Sequence, residues 1–418
     1  MNRVREALQY IWEAVQLIPA AILVGIAGGG MGVLFQFSLN HGNEFFLAHP
    51  WLLFLLPVGG VLSVLIYRGL RVPESMGMGY IFDMLTSDDK ELTWRTAPAI
   101  FLTSTVTHLL GGSAGRTGGT LEAGASLSYF IGGLLHLSRK NRKQLTLCGM
   151  AAVWAGLFGT PVAGVLFAME ALSVGSMYAV GLIPGITAAV SGHLFAQFCG
   201  ASTMRFTLNE LSTSSAAAMG QAAVLGVAVA VLTLLYCGAV NGGERFAKKH
   251  IKNSFVRVII GGCAVIVLTL LVGSYKYNGL GAALIGQSVG GGEGILWYDF
   301  LLKLLFTAVT MGMGFRGGKI MPALVIGATF GAVLGPLIGM DTGVAAALCM
   351  VGALCGIMNC PITCIFWSVE VFGGTHLLLF VITSAICYVF SGYCGIYPNQ
   401  NIIFSKLGKK QVFDRKVQ

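Results

Sequence analysis

The sequence predicts an all-α polytopic membrane protein made of two halves that echo each other. Three observations carry this. Charged residues are only 10% of the 418-residue chain and apolar residues 55%, whereas a soluble domain carries about 25% charge. Apolar runs recur at 17–39, 51–67, 121–137, 145–169, 217–240, 258–274, 321–340 and 343–368, close to the roughly 20 residues that cross a hydrocarbon core. Two glycine-rich loops, Gly115-Arg116-Thr117-Gly118-Gly119-Thr120 and Gly318-Lys319-Ile320-Met321-Pro322, stand at an offset of 203, and each opens a near-uncharged run.

From the N-terminus, Met1 to Val15 is amphipathic, with Arg3, Arg5 and Glu6 ahead of the first apolar run. It reads as an interfacial helix on the cytoplasmic side rather than a signal peptide. The run at 145–169 contains Gly156, Gly159 and Pro161, and that at 343–368 contains Gly352, Gly356 and Pro361. Both are expected to be short helices joined by a break, which survives at membrane depth only where protein or a water-filled cavity satisfies the freed backbone. The spacing Gly156-x4-Pro161-x8-Glu170 returns as Gly356-x4-Pro361-x8-Glu370. The matched positions of Glu170 and Glu370 argue for a structural role, such as bonding a helix end. Domain bounds follow: an N-terminal helix at 1–15, a first membrane repeat at 16–205, a second at 206–405 and a basic tail at 406–418.

Basic clusters lie at Arg68 and Arg71, at 139–143, at Lys248 to Arg257 and in the tail. The positive-inside rule makes these flanks, and both termini, cytoplasmic. They account for the net charge of +9 without nucleic-acid binding. The ten cysteines show no metal spacing with histidine and read as small buried hydrophobes. His108, His136, His193 and His376 read as packed or interfacial rather than as ligands.

The duplicated loops suit an anion. Burying an ion in hydrocarbon is costly. Oriented N–H groups at a helix start, equivalent to about half a positive charge, offset that cost. Glycine lets backbone approach the ion closely, and Pro322 is tolerated in a first helical turn. Discontinuous helices with termini at the bilayer midplane are a known way to build such a site. A Gly77-Met78-Gly79 turn ahead of Tyr80 to Leu85 is a third candidate start.

Four ordered motifs, Gly77-x-Gly79, Gly115-Arg116-x-Gly118, Gly314-Phe315-Arg316-Gly317-Gly318-x-x-x-Pro322 and Ser391-Gly392-Tyr393-Cys394-Gly395-Ile396-Tyr397-Pro398, resemble those of the CLC family of chloride channels and proton-coupled anion antiporters. The resemblance implies a CLC-type inverted repeat of short, tilted, broken helices in a bacterial inner membrane. It implies a homodimer with one anion pathway per subunit, no cofactor beyond the bound halide, and no cytoplasmic regulatory domains after the Tyr397 segment. Met78 replaces the serine of the family's first motif; it and the Gly-Phe-(Arg/Lys)-Gly-Gly form of the third resemble the fluoride-exporting branch. By the same resemblance Tyr397 is the pore tyrosine, able to donate from its hydroxyl, and the backbone around Ile320 and Met321 cradles the central anion.

Two positions depart from the pattern. Thr117 stands where the family's gating, proton-carrying glutamate is expected, and threonine carries no proton at physiological pH. The second, intracellular proton-relay glutamate falls at Ala171. Lys319 takes a usually apolar or acidic position. As a cation at a helix start it opposes the dipole; a bound anion is the simple offset, and the alternative is that Lys319 reaches towards water and pairs with a carboxylate. Glu122 lies five residues after Thr117, more than one turn on, so it is expected on a different face.

The expected pathway residues are therefore Gly77, Met78, Gly79, Arg116, Thr117, Gly118, Gly318, Lys319, Ile320, Met321 and Tyr397. The expected function is permeation of chloride or fluoride, passive and not proton-coupled. The alternative is a fluoride/proton antiporter using a different carboxylate. An intramembrane enzyme would need a paired catalytic constellation, and the sequence offers none. A cation transporter would want midplane carboxylates, for which only Glu170 and Glu370 qualify.

Overall fold

The computed structural model describes residues 15, 17–209, 215–397, 399–406 and 411–416. The interfacial helix expected over 1–15 lies outside them except for Val15, as do Lys409 and Lys410 of the basic tail.

The chain is helical almost throughout. The first half holds α1 (Ile18–Ala48), a 3₁₀ turn at Pro50–Leu55 running into α2 (Leu56–Gly69), α3 (Met78–Thr86), α4 (Thr96–Leu109), α5 (Thr117–Leu134), α6 (Arg139–Phe158), α7 (Pro161–Glu170) and α8 (Leu182–Phe198). The second half holds α9 (Ala216–His250), α10 (Ser254–Val272), α11 (Ala282–Val289), α12 (Asp299–Gly312), α13 (Ile320–Leu337), α14 (Thr342–Met358), α15 (Pro361–Phe372) and α16 (Leu377–Phe390). Among the described residues, five spans are long and apolar enough to cross a membrane: Ile18–Ala48, Pro50–Gly69, Ala216–His250, Ser254–Val272 and Ile320–Leu337. Their outward faces are greasy, as a lipid-facing surface must be; Leu271 is 79% exposed and Leu337 77%.

Both expected breaks occur. α6 ends at Phe158, Gly159 turns left-handed at φ 73°, and α7 restarts on Pro161. α14 ends at Met358, Asn359 turns left-handed at φ 58°, and α15 restarts on Pro361. Glycine and asparagine are the residues that accept this conformation at a helix end, and proline suits the following first turn because its missing N–H was unpaired anyway. Around the first break Trp154 of α6 stacks on Phe167 of α7 at 4.5 Å, and the halves meet where Trp367 of α15 contacts Phe158 edge-on at 6.0 Å.

The paired glutamates cap each other's repeat. The Glu370 carboxylate accepts the N–H groups of Val162 and Ala163 at 3.0 and 2.9 Å. The Glu170 carboxylate accepts those of Ile362 and Thr363 at 3.2 and 2.8 Å, plus the Thr363 hydroxyl at 2.7 Å. Each end of α7 and α15 thus satisfies the orphan donors of the other's first turn, and a carboxylate at a helix start is favourable against the dipole.

One element was not foreseen. β1 (Ser173–Val174) pairs in parallel with β2 (Asn401–Phe404), which pairs antiparallel with β3 (Gln411–Lys416). Part of the expected basic tail is therefore the outer strand of a small sheet. The strands are too short to leave a periodic signal, and β1 lies far from the other two in the sequence.

Removing Glu170 leaves the buried N–H and hydroxyl of Thr363 without a partner, at about 1–3 kcal/mol per orphan donor, and frees the part-buried N–H of Ile362 as well. Glu170→Ala is expected to lower the thermal midpoint of detergent-solubilised protein by more than Glu370→Ala, which frees only two donors. Equal midpoints for both variants and the parent would contradict this capping role.

Candidate functional site

The two glycine loops meet. Gly115 and Gly318 form an antiparallel bridge, with Gly115 N–H donating to the Gly318 carbonyl at 2.8 Å and Gly318 N–H to the Gly115 carbonyl at 2.5 Å. These are the repeat-equivalent glycines, so the starts of α5 and α13 are brought together at one point. Nothing larger than glycine fits there. A Cβ on Gly318 would lie 2.7 Å from the Gly118 nitrogen and 2.9 Å from that of Thr117. The first loop is anchored from behind, where buried His108 spans the carbonyls of Ser104 and Ala114 at 2.7 and 2.9 Å. Ser113 binds Thr310 and Thr307 of α12 at 3.2 and 3.1 Å.

A third helix start closes the arrangement. α3 begins at Met78, and the segment after α16 lies along it. Asn399 donates to the Gly79 carbonyl at 3.2 Å and to Asp83 at 2.8 Å, and the Tyr397 ring meets Phe82 edge-on at 5.2 Å. Between these elements lies a cavity of about 500 Å³. The first turn of a helix has N–H groups without intrahelical partners, and three such turns approach this space. Tyr397 is 4% exposed, and its hydroxyl has no hydrogen-bond partner.

Of the residues expected on the pathway, Gly77, Met78, Gly79, Gly118, Lys319, Ile320 and Tyr397 line the cavity. Arg116, Thr117, Gly318 and Met321 stand behind its wall. Gly318 is occupied by the bridge, and Met321 packs against Gly115. Thr117 is fully buried with an unpartnered hydroxyl. Arg116 is 7% exposed and donates to Asn40 of α1 at 3.2 Å.

Lys319 does not depend on a bound anion to offset the dipole. Its ammonium contacts Glu244 at 3.2 Å and Asn241 at 3.3 Å, both on α9, while its carbonyl accepts the Tyr236 hydroxyl at 2.6 Å. Glu244 also holds Lys248 at 2.7 Å. Arg116 and Lys319 are themselves repeat equivalents, each the residue before its helix and each held by an asparagine of the long helix that opens its half. Only the second half adds a carboxylate.

Several charged residues that the sequence reading did not place on the pathway line the cavity, Glu122, Arg316 and Glu74 among them. Glu122 faces the cavity because it lies four residues, about one turn, beyond Gly118; reckoning from Thr117 put it on the wrong face. The legible signal was a lone carboxylate in an otherwise uncharged run. Arg316 donates to the carbonyls of Met76 and Glu74 at 3.2 and 2.9 Å and lies 4.2 Å over the Tyr67 ring, which ties the α13 loop to the α3 loop. Glu74 gathers Ser254 at 2.6 Å, and Arg68 and Arg257 at 3.8 Å each. The Glu74–Arg257 end of the cavity therefore sits among basic clusters that the positive-inside rule makes cytoplasmic.

Comparison with known proteins agrees with this geometry. The family model described as voltage gated chloride channel matches residues 59–392. The chloride/fluoride channel protein of Pseudomonas syringae pv. tomato is 31% identical over 407 residues, covering 96% of this chain and 90% of the relative. The H(+)/Cl(-) exchange transporter ClcA of Vibrio cholerae is 25% identical over 342 residues, covering 78% and 72%. Among solved structures, a CLC-type fluoride/proton antiporter superposes with a TM-score of 0.90 at 30% identity, covering 94% of this chain and 99% of that one. A slow cyanobacterial Cl-/H+ antiporter, at 18% identity and a TM-score of 0.78, shares the fold.

Gly318→Ala drives a methyl group into the backbone of the facing loop, and overpacking of this kind costs about 1–3 kcal/mol. It is expected to lower the thermal midpoint by several degrees and to reduce the monodisperse fraction on size exclusion. Gly374→Ala meets nothing within 4 Å and serves as the silent control. An undisturbed Gly318→Ala protein would contradict the bridge.

Proposed function

The chain belongs to the family of voltage gated chloride channels, the CLC anion transporters, and from that premise we propose that it passes halide, chloride or fluoride, passively through the cavity between α3, α5 and α13. The observation that carries the reading is the Gly115–Gly318 bridge, which holds two helix starts beside that cavity. Positively polarised backbone offsets the desolvation of an anion, and the free Tyr397 hydroxyl adds a donor. Passivity is argued from Thr117, which cannot load and release a proton where the family's gate does. By resemblance the working unit is a homodimer in the inner membrane with cytoplasmic termini.

A second reading is kept by one observation. Exchange of an anion for a proton needs a titratable group in the pathway, and Glu122 lines the cavity. Proteoliposomes loaded with potassium chloride or fluoride separate the two. Passive permeation gives halide efflux with a potassium ionophore alone, no acceleration by a proton ionophore and no proton uptake. Efflux that drives proton uptake overturns passivity in favour of exchange. Tyr397→Phe is expected to weaken halide binding about tenfold, the worth of one hydrogen bond to an ion; calorimetric titration with chloride and fluoride measures it.

A further inference from the structure

Glu122 lies alone in its surroundings. One carboxylate oxygen approaches the α3 loop, where a Cβ on Gly77 would be 3.7 Å from Oε1 and the Met78 N–H donates to the carboxyl. The other oxygen, Oε2, is out of solvent and has no partner. The unpartnered Tyr397 hydroxyl belongs to the same cavity. The Met78 N–H, at the start of α3, is one of the donors that a halide in this cavity would use.

The neighbouring charges are not within salt-bridge distance of it. Arg316, from the loop before α13, hydrogen-bonds two carbonyls and lies over the Tyr67 ring, and its unneutralised charge acts on Glu122 from a distance. Lys319 is paired with Glu244, which also holds Lys248 on α9. Arg257 of α10 is paired with Glu74. Tyr67 and Tyr397 are the other titratable groups facing it. Among the described residues no lysine, arginine or histidine comes within salt-bridge distance of Glu122. An ionisable group left without a counter-ion at membrane depth is costly and marks function.

We propose that Glu122 is a pH-sensing inner gate of this pathway: as a carboxylate it occupies the start of α3 in place of the permeating halide, and on protonation it gives that place up. The inference rests on the anion reading above and adds a means of regulation. Carboxylate and halide compete for the same N–H groups because both are anions of similar reach. A neutral carboxylic acid competes poorly, and the pathway opens as pH falls. The proton gates the flux without travelling with each ion.

The test is chloride efflux from proteoliposomes with a potassium ionophore, at equal inner and outer pH, from about pH 8 to about pH 4, a span that crosses carboxyl titration in proteins. The parent protein is expected to speed up severalfold on acidification. Glu122→Gln is expected to run at the parent's acidic rate throughout, with no pH dependence. Should Glu122→Gln fail to give monodisperse protein, Glu122→Asp takes its place; its shorter side chain withdraws from Met78, raising the rate at high pH while keeping a pH response. Flux that ignores pH in the parent, or a variant that keeps the parent's profile, overturns the gate and leaves anion permeation standing. No halide flux from any of these proteins at any pH overturns the anion reading, and the gate with it.

Discussion

Everything at the centre of this protein hangs on two reciprocal hydrogen bonds between Gly115 and Gly318. They bring the equivalent helix starts of the two halves, those of α5 and α13, together beside the cavity. A pair of like helix ends held together is unfavourable, since each carries about half a positive charge. The backbone bridge, the anchoring of the first loop by His108 and Ser113, and the tie from Arg316 to the α3 loop hold them against that repulsion. The result is a spot of positive backbone potential at the junction of the two halves, the feature on which the proposed anion pathway rests.

The near-symmetry of the halves makes their differences informative. Arg116 and Lys319 are the same position seen twice, and Asn40 and Asn241 receive them in the same way. Glu244 then breaks the likeness by neutralising the second cation. What the sequence suggested was an unpaired lysine drawing anions inward; what the structure has is a Lys319–Glu244–Lys248 chain. Side chains and backbone both shape the field of this space: Lys248, Arg257, Arg316 and Lys319 line it together with Glu74, Glu122 and Glu244, alongside the helix starts.

The fold was largely legible before any coordinates. Low charge and long apolar runs give a multi-span protein, and the proline placed after glycine or asparagine marks both helix breaks. The matched spacing of Glu170 and Glu370 signalled reciprocal structure. The site was legible where backbone makes it: Gly77 to Gly79, Gly118, Ile320 and Tyr397 were named and line the cavity. Side-chain direction was harder. Glu122 was turned the wrong way because the helix was phased from Thr117 instead of Gly118, and the carboxylate partner of Lys319 went unnamed because it lies on α9, 75 residues away in the chain. Such pairings are set by how helices pack, and no local pattern announces them. The small sheet escaped for the same reason, since β1 follows α7 in the first half while β2 and β3 follow α16.

The exchange of caps between Glu170 and Glu370 has a consequence for biogenesis. The ribosome delivers α7 long before Glu370 exists, so the first half reaches the bilayer with the opening turn of that helix still unsatisfied. Its final form is completed only when the later half arrives and lends a carboxylate, receiving one in return. Neither repeat is therefore a self-sufficient folding unit, and maturation ends with a docking step between two half-built bundles.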